Sequence, residues 1–190
     1  MRFWINRYRA VVAALIGPVL IVLLSLGPAS AQATNNAALD SLFAQLRVAP
    51  DAAAAKAIDQ QIWMTWMSPD DPALRARMQQ GLLKLSGNPA AALADFQAIA
   101  ADYPDYAEAW NQLATLHYVL GDYETSLAEI DKVLALEPRH FGALSGRALI
   151  YRNQGKRALA LKDIAAALSL HPFLAERALF PELLDDVTRI

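Results

Sequence analysis

The stretch LEPRHFGALSG, residues 136–146, gathers an Arg, a His, a Pro and two Gly within eleven residues. Histidine changes charge near neutral pH and serves as general base, proton carrier or metal ligand. Arginine carries a permanent planar charge that suits carboxylates and phosphates. A catalytic His140 needs a nucleophile or a second ligand within reach, and the spacing supplies neither. The other histidines, His117 and His171, stand far off in sequence, so no helix carries a two-His metal face at i,i+3 or i,i+4. No GxSxG, SxxK, Walker loop or HExxH occurs. Asp70-Asp71 and Asp185-Asp186 are paired carboxylates, but each lies near an expected helix boundary, where capping is their ordinary work. The absence of Cys removes thiolate nucleophiles, disulfides, Cys-ligated zinc and iron–sulfur clusters. The expectation is therefore no catalytic residue, no cofactor and no metal, hence not an enzyme. Two readings of Arg139 and His140 stay open: a solvated turn, or an edge that meets an anionic ligand or a partner's carboxylate.

What must position these residues is helical. Hydrophobic residues make up 55% of the 190, with Ala and Leu dominant and β-branched residues few after residue 22. The N-terminus has a layout of its own. Arg2, Arg7 and Arg9 precede a run without charge from Ala10 to Leu26, and Gly27-Pro28 and ASAQA follow. That is the three-part pattern of a secretory signal, with cleavage after Ala31 or Ala33. The alternative is a retained membrane anchor, at the lower limit of spanning length. In either case the rest of the chain is expected outside the cytoplasm, and the periplasm is the reading preferred. Removing residues 1–33 leaves 14 basic against 19 acidic residues. A mildly acidic chain without basic runs is not expected to bind nucleic acid.

Self-similarity organises the remainder. Gly87, Gly121 and Gly155 are spaced 34 apart, as are Pro104, Pro138 and Pro172. Between them run the columns Ala92/Ser126/Ala160, Leu93/Leu127/Leu161, Phe96/Ile130/Ile164 and Ile99/Val133/Ala167. Small residues let antiparallel helices approach, Gly turns the chain between them, and Pro ends each second helix. Asp71-Pro72 and Asn88-Pro89 read as N-caps followed by a first-turn proline, and Asp105 with Glu108 as a capping-box variant.

Period and residue types together resemble the tetratricopeptide repeat, a helix–turn–helix unit of 34 residues. In the clearest copy, 107–140, Trp110, Leu113, Ala114, His117, Ser126, Ile130 and Pro138 fill the pattern. The copy at 141–174 departs with Arg147 where Leu is expected. The copy at 73–106 departs with Ala76 for Trp and with Gly81 one position late. The resemblance implies an all-α solenoid of antiparallel helix pairs. Its expected divisions are a signal or anchor (1–33), a linker and capping helices (34–72), three repeats (73–106, 107–140, 141–174) and a capping helix (175–190).

The resemblance also implies a concave groove lined by the second, fifth, ninth, twelfth and thirteenth positions of each unit. These are Leu74, Arg77, Gly81, Lys84 and Leu85 in the first unit, and Glu108, Asn111, Thr115, Tyr118 and Val119 in the second. The third contributes Gly142, Ser145, Leu149, Arg152 and Asn153. With Arg139 and His140 at its edge, such a groove implies a protein or peptide partner held by side-chain hydrogen bonds and an apolar anchor. Some members grip a terminal carboxylate with a Lys/Asn/Arg clamp. Asn111 and Thr115 stand where that clamp needs Lys and Asn, so the activity does not carry over. His117, in the column usually filled by Tyr, is expected to be a hydrogen-bonded core residue, and His171 a partner for its helix C-terminus.

The flanks complete the expectation. Residues 32–37, QATNNA, read as a flexible tether, and Ala38–Arg47 and Asp51–Met67 as two helices. Trp63 and Trp66, one turn apart, read as a plug against the first repeat. A closing helix is expected over 173–188. The function this supports is a non-catalytic adaptor of the bacterial cell envelope, the alternatives being a membrane-anchored assembly factor and, more distantly, an enzyme.

Overall fold

The computed structural model describes residues 29–181 and 183. The chain divides into two compact units, 1–32 and 33–190, and all the helix pairs lie in the second. The signal or anchor expected over 1–33 lies almost wholly outside the described residues.

The described elements are α1 (Ala29–Arg47), α2 (Ala52–Met67), α3 (Pro72–Lys84), α4 (Pro89–Asp102), α5 (Ala107–Val119), α6 (Tyr123–Leu136), α7 (Phe141–Asn153) and α8 (Arg157–Leu170). A short 3-10 helix, Ala175–Leu179, follows. No strand occurs among the described residues. Helices α3 to α8 form three antiparallel pairs, joined by α4 against α5 and by α6 against α7. This is the all-α solenoid.

Local chemistry sets the helix ends. Asp51, Asp71, Asn88 and Asp122 each accept a backbone N–H from the first turn of the helix they precede. Such caps contribute about 1 kcal/mol each. Gly121 and Gly155 carry φ of +78° and +70°, the left-handed turn that a side chain would strain. The Asp105–Glu108 capping box is not formed. Helix α5 starts after Tyr106 without a side-chain cap, because the Glu108 carboxylate is turned toward Asn111 and Gln112 instead.

Each pair is closed by size matching. Ser126 and Ala160 are fully buried, and the Ser126 hydroxyl donates to the Ala114 carbonyl at 2.7 Å. Gly81 lies against the Phe96 ring, where a Cβ would stand 2.7 Å from Cε1. It does the work that Ala114 and Ala148 do in the other pairs, one position late, so the first helix of the first unit is rotated in register. Leu74, Met78, Phe96, Ile99, Leu113 and Leu116 join the first pair to the second. Ala114, Ile130, Val133, Ala143 and Ile150 join the second to the third.

A further 34-residue column, absent from the sequence reading, staples the pairs. Asp95, Glu129 and Asp163 lie on the second helices, and each meets a base on its own first helix. Lys84 Nζ reaches Asp95 at 2.6 Å, and the Glu129 carboxylate accepts from His117 Nδ1 at 2.8 Å. Arg147 donates from Nε and a terminal nitrogen to both oxygens of Asp163, at 2.6 and 3.0 Å, and also to Asp131. Arg147 stands where the repeat wants Leu because this acid must be answered. Burial raises the Glu129 carboxyl above its usual pKa, and the His117 bond offsets only part of that rise.

The flanks depart from expectation in three ways. QATNNA is not a tether: α1 runs through it, as Ala-rich sequence favours. The closing helix begins as the five-residue 3-10 turn, ended at Phe180, whose φ of −128° and ψ of 69° leave the helical region before Pro181. It still covers the third pair, since Phe180 is 2% exposed among Ala148, Ala160 and Ile164. The third departure is the placement of α1 and α2. Their apolar faces do not join the core of the first repeat, which reaches α2 through the Tyr106 hydroxyl on the Trp66 carbonyl. Leu39, Phe43, Leu46, Ala55 and Ile62 form one cluster with Phe141, Leu144 and Ala167 of the third pair. The reason is complementarity. The outer side of α3 offers exposed Ala76 and Gln80, with Leu83 81% exposed, whereas the third pair offers Phe141, Leu144 and a glycine.

Candidate partner-binding groove

The groove positions divide into a covered half and an open half. At the N-terminal ends of α5 and α7 stand Glu108, Asn111, Gly142 and Ser145, and α2 and the residues it packs against cover them. Glu108 is 1% exposed, Asn111 8% and Ser145 4%. Trp63 lies across Gly142, where a Cβ would come within 2.9 Å of the indole Cη2. Trp66 stacks flat on the His140 ring, with centroids 4.3 Å apart and planes 8° from parallel. Phe141 completes the pocket, 5.8 Å from Trp63 and 5.3 Å from Trp66 by ring centroid.

His140 is the N-cap of α7 and is 1% exposed, so neither the solvated turn nor the open groove edge describes it. Its Nδ1 accepts the Ala143 N–H at 3.0 Å. That places the proton on Nε2, which donates to Glu108 at 3.2 Å. Glu108 further accepts from Asn111 at 2.9 Å and Gln112 at 2.7 Å. The buried carboxylate is therefore answered by three donors, and the imidazole is locked as a flat platform. Tyr106 donates its hydroxyl to the Trp66 carbonyl at 2.9 Å. Burial first, and then the nearby Glu108 charge, raise its pKa well above the ordinary value.

Arg139 is held by α1 and by its own loop. It forks onto both Glu137 oxygens, pairs with Asp40, and lies over the Phe43 ring at 4.7 Å. Arg77 and Lys84 are each paired within the first pair, Arg77 with Asp102 at 2.7 Å and Lys84 with Asp95 at 2.6 Å. His171, the last residue before Pro172, is buried edge-on to Phe141, with Asp59 of α2 at 3.8 Å. Burial lowers its pKa against the pull of Asp59 and Glu176. Beside it a cleft of about 420 Å³ opens between α2 and the third pair, edged by Lys56, Asp59 and Glu176.

The open half lies at the C-terminal ends of α5 and α7. Thr115, Val119, Arg152 and Asn153 are exposed and Tyr118 half-buried. Val119 and Leu120 are 74% and 65% exposed. Asn153 donates to the Tyr123 hydroxyl, whose ring packs by Tyr118. Of the sequence-derived site residues, then, Tyr118 and Asn153 meet through Tyr123, Thr115 is exposed, and Arg152 is exposed with its guanidinium 5.9 Å from the Phe180 ring. Glu108, Asn111, His140 and Ser145 share a surface that the chain itself covers. Sequence reasoning missed Asp40, Asp59 and Gly142 as contacts of the hairpin. A glycine at a groove position was the available signal. Among the described residues, no cluster of three or more His, Asp or Glu could hold a metal ion, and no helix is long and apolar enough to cross a membrane.

Sequence comparison with known proteins agrees with this architecture. A family model described as tetratricopeptide repeat matches residues 83–150. A TPR repeat-containing protein of Rhizobium etli is 42% identical over an alignment of 138 positions that covers 70% of this chain and 66% of that protein. The chain thus spans about two thirds of the length of that relative. DnaJ homolog subfamily C member 3 of Mus musculus is 36% identical over 70 residues, covering 37% of this chain and 14% of that protein. The crystal structure of MamA superposes with a TM-score of 0.48 at 17% identity, over 73% of this chain and 89% of that one. The chain belongs to the tetratricopeptide repeat family.

Proposed function

We propose that the chain is a non-catalytic adaptor of the bacterial cell envelope that binds a protein partner along the first-helix groove. The observation that carries this reading is the groove's own content: it already holds a helix, with two indoles seated between His140, Phe141 and Gly142. A surface that accommodates one amphipathic helix by preformed shape is suited to a partner's segment. The open half supplies the approach. Val119 and Leu120 give apolar area, and Thr115, Arg152 and Asn153 give polar contacts. The envelope assignment rests on the basic, apolar, small-residue order of residues 1–33.

A photo-crosslinking residue at 118 or 152 in intact cells is expected to capture one discrete partner. The same residue at exposed Leu159, on α8, is expected to capture none. Arg152→Glu with Asn153→Ala should weaken capture with helical content unchanged. Equal capture from 152 and 159 would remove the groove from the proposal.

A second reading keeps residues 10–26 as an inner-membrane anchor that recruits an envelope complex. It is favoured by the uncharged run itself. Carbonate extraction separates the two: the anchored form stays with the membrane pellet and the cleaved form is released.

A further inference from the structure

The covered half of the groove specifies a ligand, and the specification is legible in the segment that fills it. Four observations set the α1–α2 hairpin apart from a permanent part of the core. It lies on groove positions, over Gly142 and Ser145, and not on the end of the stack. Its apolar cluster includes no residue of α3 or α4. The link to α3 is the short segment 68–71, whose Pro69 carbonyl is held by Arg75 on the α3 side. Finally, the Trp66 indole N–H is buried with no acceptor among the described residues. A buried donor left unmade costs about 1–3 kcal/mol. The resident is thus an imperfect occupant of a well-formed seat.

The seat is the better-built partner. His140 is fixed flat by Ala143 on one nitrogen and Glu108 on the other. Gly142 leaves a slot that any side chain would close. Arg139 stands at the rim, already neutralising Asp40 of the hairpin.

We infer that this seat takes a partner's amphipathic helix, which presents two aromatic side chains one turn apart and a carboxylate to Arg139, and which displaces the α1–α2 hairpin. One aromatic enters the Gly142 slot and the other stacks on His140. A Phe or Tyr ring at the second place leaves no indole N–H stranded, which gives the incoming helix its advantage over the resident. The inference rests on the groove being a protein-binding surface.

The test uses the full chain and a fluorescein-labelled peptide of residues 37–68 as probe, read by anisotropy. Trp63→Ala with Trp66→Ala vacates the seat. This variant is expected to bind the probe about tenfold or more tighter than the unaltered chain, whose own hairpin competes. A probe with both Trp replaced by Ala is expected to bind neither chain. Gly142→Leu added to the vacated variant should abolish binding. Equal binding by the unaltered and vacated chains, or indifference to the probe's Trp residues or to Gly142→Leu, overturns the inference. Should the vacated variant lose helical signal, Asp40→Arg weakens the hairpin's hold with the indoles still seated and is expected to tighten probe binding about two- to fivefold, no tightening overturning the inference. Capture at 118 or 152 without probe exchange sinks this inference and spares the adaptor reading. Probe exchange without capture there does the reverse.

Discussion

The first helix pair and the third follow one plan and have opposite surroundings. The first pair, α3 with α4, buries Leu74, Met78 and Phe96 inward and leaves Ala76, Gln80 and Leu83 exposed on its outer side. The third pair, α7 with α8, is enclosed twice, by the α1–α2 hairpin over Phe141 and by Phe180 over Ala148 and Ile164. Flanking helices were expected to shield the two ends of the stack. Here one end is closed, and the other flank lies where a ligand would. The difference shows that what covers a repeat depends on the surface it offers, since an end of small and isolated side chains can stand in water and an aromatic pocket cannot.

Removing the core of the first pair should have the largest effect. Phe96→Ala is expected to cost about 3–5 kcal/mol, because the ring fills the space over Gly81 and links the first two pairs. A urea titration followed by circular dichroism should show the whole stack melting earlier.

Trp66→Ala removes as large a group but should act differently. The cost, about 3 kcal/mol, falls on the hairpin. Limited proteolysis should cut between residues 37 and 71 while the fragment holding α3 to α8 survives. Trp66→Phe should cost much less, since it keeps a ring on His140 and removes the stranded N–H. Cleavage spread evenly over the chain would erase the contrast between the two regions.

The acid column sharpens it further. Arg147→Leu restores the family's usual residue yet strands the buried Asp163, and is expected to destabilise by about 2 kcal/mol. Lys84→Leu, at the more exposed Asp95 pair, should cost no more than about 0.5 kcal/mol. Thermal melts of the two variants compare them directly.

The smallest effect is a pH slope. Burial holds His171 below its ordinary pKa of 6.5. Beneath that pH the unfolded chain takes up a proton that the folded chain resists, so stability should fall as pH drops from about 6.5. Asp59, raised by burial, works in the opposite sense nearer the carboxylate range. Urea midpoints at pH 7.5 and 5.5 should differ in the unaltered chain and converge in His171→Gln.

The pairs themselves were legible because their cause is local and recurs. Gly121 and Gly155 must turn, Pro138 and Pro172 must stop a helix, and Ser126 and Ala160 must be small. The departure of the first unit was visible as the late Gly81, and its reason is clear once Phe96 is seen to sit on that glycine. The acid column was equally present at 34-residue spacing, but charged residues on helices read as solvated until their partners are known. The seat of the hairpin was not legible. The spacing of Trp63 and Trp66 says that they are buried, and nothing local says against what. That depends on Phe141 and Gly142, roughly eighty residues away in sequence.

The central claim is that α2 lies on the third pair. Because the chain has no cysteine, spin labels placed through Met64→Cys and Arg152→Cys, at exposed sites on α2 and α7, are unambiguous. Pulsed electron–electron distance measurement should give a single narrow peak that dilution does not change. A broad distribution, or a peak that fades on dilution, would contradict it.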